Sequence, residues 1–272
     1  ELLVNYFPGV LIEHCRDLLP RHPLRRDITT TQLVNLLVNR MGTTFVMRIS
    51  DETAASAAEV AAAWYATSRV LAAEELWYEL ERLDGLLPAS RQMELMANLR
   101  AMTGQVTRLL LVRLRSGVAL GQIIDDYRQP AAEVIGELRG ARQGVEAITA
   151  LIEQRAAVIA VVELVNLAHT TGHSLGEVKR GLGRLAEQLD LDWLAAAIGR
   201  LPAGNRWQAR ARSQLAADLA TLRQHLLRQV LADAQPPTDK AGAVVDELKS
   251  SEPQDLAMLS AGLAEIRRLV VG

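Results

Sequence analysis

The sequence contains very little cysteine and few aromatic residues: Cys15 is its single thiol, and Phe, Trp and Tyr make up 4% of its 272 residues. One cysteine excludes an internal disulfide framework and is typical of a protein from a reducing compartment. An excess of one charge is missing as well, since the formal net charge is −2 at pH 7. We therefore expect neither nucleic acid nor membrane as a partner, because both attract basic surfaces.

Long hydrophobic runs are also missing. The most apolar segment, Ala156 to Ala168, is too short to span a bilayer and is interrupted by Glu163. No secretory signal peptide is recognisable, so we expect a cytoplasmic protein. The first residues, ELLVNYFPG, are already patterned like folded chain although they include no initiator Met. This beginning predicts that the chain is a piece of a longer polypeptide.

Helix-forming residues with a 3.6-residue apolar period fill most of the chain and predict an all-α fold of about ten helices. The single β-like stretch is TTFVMRIS, residues 43–50. Proline and glycine mark the expected helix ends. One helix should begin at Pro23 and stop at Gly42, and Pro130 should separate two helices over 119–127 and 130–150.

Two segments repeat the pattern T-x-x-S-x-x-E-V, and each contains a capping box, formed by Ser56 and Glu59 in one and by Ser174 and Glu177 in the other. Farther along, LLPASRQ (86–92) resembles RLPAGNRWQ (200–208). These similarities predict a degenerate duplication of a helical unit, with copies near residues 35–115 and 160–235. We expect one helical domain over 1–235, a stiff break at AQPPTD (234–239), and a terminal helical pair over 236–272 packed on that domain.

Motifs that carry chemistry are missing. His169 and His173 are four residues apart, but no glutamate adjoins the first histidine and Gly172 interrupts the helix between them. The segment RGLGRL (180–185) has neither the preceding strand nor the third glycine of a dinucleotide-binding loop. We therefore expect no catalytic, cofactor-binding or metal-binding residue in this chain.

One segment, 167–185, resembles a DNA-binding helix-turn-helix, with a small residue, a turn glycine and an apolar residue at favourable spacings. Lys179, Arg180 and Arg184 on its second helix could meet phosphates, although two glutamates share that helix. A freestanding helical DNA-binding or transcription-related protein is therefore the alternative hypothesis. The net acidic balance of the chain argues against it.

The helix that opens at Pro23 places Arg25 and Arg26 in its first turn, where the helix dipole disfavours cations by ~0.3–1 kcal/mol each. At 100° per residue, one side of this helix is apolar: Leu33, Val34, Leu37, Val38 and Met41. Another face carries a polar row of Arg25, Gln32, Asn35 and Asn39, with Leu24 and Ile28 among them. This row is either an internal seam against a neighbouring helix or a docking face for another domain. We favour docking, because the arginines at the N-terminus need a partner. The predicted docking residues are His22, Arg25, Arg26, Gln32, Asn35, Asn39 and Arg40.

The stretch from His22 to Val70, with YFPG upstream and DWLAAAIGRLPAGNRWQARARSQLAADL downstream, resembles the C-terminal helical domain of the large bacterial NAD-specific glutamate dehydrogenases. The most specific segments are His22–Arg26, Asn35–Gly42 and Glu52–Val60. The resemblance covers nearly the whole chain and is loosest after Pro236.

This resemblance implies a parent polypeptide that oxidises L-glutamate to 2-oxoglutarate and ammonia and reduces NAD. The nucleotide-binding and catalytic regions would lie outside this chain, which would bind no cofactor itself. The implied partners are the catalytic domain of the same polypeptide and other subunits of a homo-oligomer, a tetramer by family resemblance.

Overall fold

A computed structural model describes residues 2–232 and 238–271. The predicted all-α fold is confirmed, with fourteen α-helices among these residues rather than about ten. The helices are α1 (Gly9–Cys15), α2 (Arg25–Met41), α3 (Phe45–Thr53), α4 (Ala57–Val70), α5 (Ala73–Glu81), α6 (Ala89–Arg115), α7 (Leu120–Arg139), α8 (Gly144–Glu153), α9 (Arg155–Thr171), α10 (Leu175–Gln188), α11 (Leu191–Arg200), α12 (Arg206–Leu231), α13 (Thr238–Ser250) and α14 (Leu256–Val271).

The chain forms two compact units. The first comprises residues 1–50 and 55–161, and the second comprises 51–54 and 162–272. The predicted division at 235/236 stays a prediction, since positions 234–237 of the proline break lie outside the described residues. None of the helices in the described part of the chain combines the length and apolarity needed to cross a membrane.

The first unit is built around α4, which packs against α6 and α7. Trp64 of α4 is buried in a core that also contains Phe45 and Ile49 of α3. Threonines on the buried faces are satisfied within their own helices: Thr67 Oγ1 donates to the Ala63 carbonyl at 2.9 Å. Such back-bonding lets polar side chains lie in the core without an unpaired group.

The second unit contains a leucine-rich core formed by α10 to α14. Helix α10 packs against α12, and α13 packs against α14. The close approach of α10 to α12 is possible because Gly181 has no side chain: a β-carbon there would lie 2.7 Å from Leu227 Cδ1. The RGLGRL segment thus owes its first glycine to helix packing.

Helices α4–α6 and α10–α12 follow the same order with nearly equal lengths. They contain 14, 9 and 27 residues in the first unit and 14, 10 and 26 in the second. Both series start with the predicted capping boxes, at Ser56 and at Ser174. In each series the first and second helices pack on the third. This correspondence supports the predicted duplication.

The prediction that Pro130 separates two helices is wrong. Helix α7 continues through Pro130 and buries Tyr127 and Ala131 on either side of it. Proline inside a helix costs ~3 kcal/mol, and the packing of α7 against α4 offsets that cost. The helix ends instead at Gly140, whose φ of +54° is in the left-handed region that favours glycine.

Candidate docking surface on the α1–α2 segment

The start of α2 is held by His22 and by the preceding 3₁₀ turn, Arg16–Arg21. The Leu24 N–H donates to His22 Nδ1 at 3.2 Å, and the His22 ring lies 5.5 Å from the Phe7 ring. A small separate core of Leu3, Ile12 and Leu19 joins α1 and this turn, with Ile28 of α2 packed against it. Through Ile28, this core attaches the N-terminal segment to α2.

The two arginines of the first turn differ in their surroundings. Arg25 Nη1 donates to the Pro20 carbonyl at 3.1 Å, so a carbonyl of the 3₁₀ turn compensates its unfavourable place at a helix N-terminus. Arg26 is exposed, and within the described residues its side chain has no hydrogen bond or ion pair. Arg26 is therefore the cation left available to another molecule or domain.

The predicted polar row does not form an internal seam. Asn35 and Asn39 are exposed and Gln32 is half-buried, and none of the three has a side-chain hydrogen bond in the described part of the chain. The expected apolar side also needs correction at one position, since Val34 is 48% exposed whereas Leu37 is buried. Val34 therefore belongs to the exposed face of α2 together with Asn35 and Asn39.

Arg40 differs from the other predicted docking residues because it is engaged within its own unit. Its guanidinium binds Glu74 Oε2 at 3.2 Å and also pairs with Glu81, both on α5. The Arg40 and Arg100 guanidinium carbons each lie 5.6 Å from the centre of the buried Trp77 ring. Burial opposes the charge of Arg40, but the two carboxylates outweigh it and raise its pKa. Arg40 therefore anchors α2 to α5.

Exposed apolar side chains are concentrated in the N-terminal segment that includes α1 and most of α2. Six of the thirteen exposed large hydrophobic residues among the described residues lie within the first 34 positions. They are Tyr6, Val10, Leu11, Leu18, Leu24 and Val34. An apolar patch beside unpaired polar groups is typical of a protein-protein interface. The sequence analysis predicted none of these six as exposed apolar contacts, because apolar side chains in a short helical segment resemble core residues.

We call this set the α1–α2 surface: Tyr6, Val10, Leu11, Leu18, Leu24, Arg25, Arg26, Val34, Asn35 and Asn39. It combines apolar contact area with cations and amide groups. In the described part of the chain no group of three or more His, Cys, Asp or Glu side chains could hold a metal ion. The surface is suited to binding another protein surface.

The helix-turn-helix-like segment, unlike the α1–α2 surface, is partly covered by helices of its own unit. Helix α10 packs against α12 and α13 of its own unit. Arg184, one of its three predicted phosphate contacts, donates to the Val230 carbonyl of α12 at 3.1 Å. Lys179 and Arg180 are exposed. At the end of α9, His173 Nδ1 lies 3.0 Å from the Thr171 carbonyl oxygen.

Comparison with known proteins relates this chain to one family. The family described as glutamate dehydrogenase, C-terminal, matches residues 1–151 and 140–269. The NAD-specific glutamate dehydrogenase of Halomonas elongata is 30% identical over 88% of this chain and 16% of its own length. That of Pseudomonas aeruginosa is 30% identical over 78% of this chain and 14% of its own length. That of Mycobacterium tuberculosis is 23% identical over 98% of this chain and 18% of its own length.

The chain thus spans about a sixth of the length of the relatives it matches. The family match covers nearly all of the chain, including α2 and both capping-box helices. The chain belongs to the glutamate dehydrogenase C-terminal family.

Proposed function

We propose that this chain is the non-catalytic C-terminal domain of a large, cytoplasmic, NAD-dependent glutamate dehydrogenase. The parent enzyme would convert L-glutamate and NAD to 2-oxoglutarate, ammonia and NADH. The names of the relatives and their length support this proposal, since about five sixths of each relative lies outside the matched region. In this proposal NAD binds elsewhere in the polypeptide and this chain binds no cofactor.

The role of the domain is to dock on the catalytic domain of its own polypeptide through the α1–α2 surface. The observation that carries this role is the concentration of exposed apolar side chains in the first 34 residues, a segment that also contains the exposed Arg26, which has no partner among the described residues. Docking would cover the apolar patch and pair Arg26 with an acidic group. Its consequence is a more stable subunit in a homo-oligomeric enzyme, a tetramer by family resemblance, with activity regulated by whether the domain is docked.

Charge reversal in the full-length polypeptide tests this docking. Arg26→Glu alone removes the unpaired cation, and Arg25→Glu with Arg26→Glu extends the reversal. We expect the double variant to lower the assembled fraction, measured by analytical ultracentrifugation, or the rate of glutamate-dependent NADH formation. The matched control is Lys179→Glu with Arg180→Glu, which reverses two exposed cations of α10. Unchanged assembly and kinetics in the Arg25/Arg26 variant would contradict the docking role.

The parent enzyme itself is tested by the size of the native polypeptide. An antibody against this chain would be used to blot extract of the source cells, and the precipitate would be assayed for glutamate-dependent NADH formation. A band several times heavier than 29.8 kDa, with activity, supports the proposal. A band near that mass without activity would overturn it and favour the DNA-binding alternative, for which salt-sensitive binding to duplex DNA is the next measurement.

A further inference from the structure

The hairpin formed by α5 and α6 corresponds to the hairpin formed by α11 and α12 in the two similar helix series. The turns of these two hairpins carry opposite charges. We call residues 200–212, between and including the adjoining ends of α11 and α12, the basic tip. The basic tip contains four arginines, and no acidic residue occurs in it or in the flanking positions from 193 to 217. We call residues 74–93, from α5 to the start of α6, the acidic tip. It contains five acidic residues and two arginines. Glu74, Glu79 and Glu81 pair with Arg40 and Arg139 of other helices, so Glu75 and Asp84 supply its available negative charge.

The basic tip presents an exposed tryptophan between cations. Trp207 is 71% exposed, and the Arg206 and Arg210 guanidinium carbons lie 5.6 and 5.8 Å from its ring centre. Arg206 lies 3.6 Å from Asp51, which belongs to the same unit, but both side chains are about half exposed and such pairs contribute little. Arg200 is exposed and has no side-chain partner among the described residues. The tip therefore keeps positive charge available.

The acidic tip presents exposed apolar side chains between carboxylates. Tyr78 is 59% and Leu86 is 69% exposed. Glu75 and Asp84 are exposed, and within the described residues neither side chain is in an ion pair. The Arg82 guanidinium lies 5.8 Å from the Tyr78 ring centre, within the range of a cation–π contact.

We propose that the basic tip of one copy of this chain binds the acidic tip of a second copy. Tryptophan, tyrosine and arginine are the residues that most often carry binding energy at interfaces. Trp207 would supply the apolar anchor against Tyr78 and Leu86, and the opposite charges would steer the two tips together. The contact needs neither the α1–α2 surface nor the enzymatic assignment, so it stands independently of the proposed function.

Self-association of the full 272-residue chain tests this contact. We expect the mass of the particle, measured by sedimentation equilibrium, to rise above one chain's 29.8 kDa at low salt. It should return toward that value when ionic strength rises to about 0.5 M, where the Debye length is only about 4 Å. Trp207→Ala should weaken association about tenfold or more, because it removes the anchor but keeps every charge.

Two charge-reversed variants make the test specific. One changes the basic tip by Arg200→Glu and Arg206→Glu, and the other changes the acidic tip by Glu75→Lys and Asp84→Lys. The first variant has no net charge left on its basic tip, and the second has no net negative charge left on its acidic tip, so each variant alone should stay monomeric. An equimolar mixture should associate again, because the unchanged acidic tip of the first variant can bind the unchanged basic tip of the second. Circular dichroism verifies that both variants are folded.

Lys179→Glu is the control, since it reverses an exposed charge outside both tips; it should associate like the unmodified chain. A chain that is monomeric at low salt overturns the proposal, as does association that survives either reversal. Failure of the mixture to associate overturns it as well. None of these outcomes depends on enzyme activity, so they are distinguishable from failure of the proposed function.

Discussion

Gly181 of α10 lies so close to Leu227 of α12 that a β-carbon at position 181 would be 2.7 Å from Leu227 Cδ1. The same β-carbon would lie 3.1 Å from Leu231 Cδ2. Gly183, two residues later in the same helix, has open space around it. The two glycines of RGLGRL therefore have different roles, and only Gly181 is required by packing.

This difference gives a matched pair of substitutions. Gly181→Ala should lower the free energy of unfolding by about 1–3 kcal/mol, since the added methyl group overpacks the α10–α12 contact. Gly183→Ala should raise it by about 0.5–1 kcal/mol, because alanine is the better helix former at an open position. Urea unfolding followed by circular dichroism measures both. Equal stability of the two variants would mean that α10 and α12 do not approach as described.

The two capping boxes stabilise helices in separate units. Glu59 N–H donates to Ser56 Oγ at 3.2 Å, and Glu177 N–H donates to Ser174 Oγ at 3.3 Å. Ser56→Ala and Ser174→Ala should each cost about 0.5–2 kcal/mol of stability. Their effects should add, because the sites share no partner. Ser90→Ala in α6 is the control and should change stability by less than about 0.5 kcal/mol.

Arg40 joins α2 to α5 through Glu74 and Glu81. Arg40→Ala should destabilise the chain by about 1 kcal/mol, because solvent partly screens the half-exposed Glu74 and Glu81 while the contact with the Trp77 ring is also lost. Arg40→Lys should recover only part of this loss, since lysine keeps the charge but lacks the planar donor fork. Thermal unfolding of both variants, with Arg26→Ala as the control, measures the effect. An Arg40→Ala variant as stable as the control would contradict this anchoring role.

Much of the fold could be predicted from local signals. Gly42 ends α2, and Ser56 and Ser174 begin α4 and α10, because caps and left-handed glycines act within a few residues. Pro130 misled the prediction because tertiary packing of α7 overrides a local helix breaker. The β-like stretch 43–50 became helical mainly because Phe45 and Ile49, four residues apart, are both fully buried.

The candidate surface could be predicted only in part. The sequence places Arg25, Arg26, Asn35 and Asn39 on α2, but periodicity cannot tell which side of a helix its neighbours cover. Arg40 lies on the same helix and was predicted to dock as well, but its side chain is bound within its own unit, because α5 supplies two carboxylate partners. Exposure of Val10 and Leu18 was likewise not predictable, because it depends on which apolar side chains of this segment form the small core of Leu3, Ile12 and Leu19.

Glu163 of α9 makes stability depend on pH. Burial raises its pKa, Arg223 lowers it less strongly, and Asp192 adds to the increase. The Arg223 guanidinium lies 3.3 Å from Asp192 Oδ1, and its charge acts on Glu163 without a direct ion pair between them among the described contacts. A carboxylate whose pKa is raised in the folded state binds its proton more tightly there than in the unfolded chain. Its contribution to stability is therefore lost as pH rises from the ordinary glutamate pKa through the raised one.

Glu163→Gln should remove this loss. The amide cannot ionise, so the variant should be more stable than the unmodified chain at about pH 8. The difference should shrink toward about pH 4, because the Glu163 side chain of the unmodified folded chain is then protonated and also uncharged. Urea unfolding at a series of pH values measures the difference. Glu187→Gln, at an exposed position of α10, is the control and should follow the unmodified chain at every pH. If Glu163→Gln also followed it, Glu163 would be as well solvated in the folded chain as in the unfolded one, and the burial of α9 on this side would be wrong.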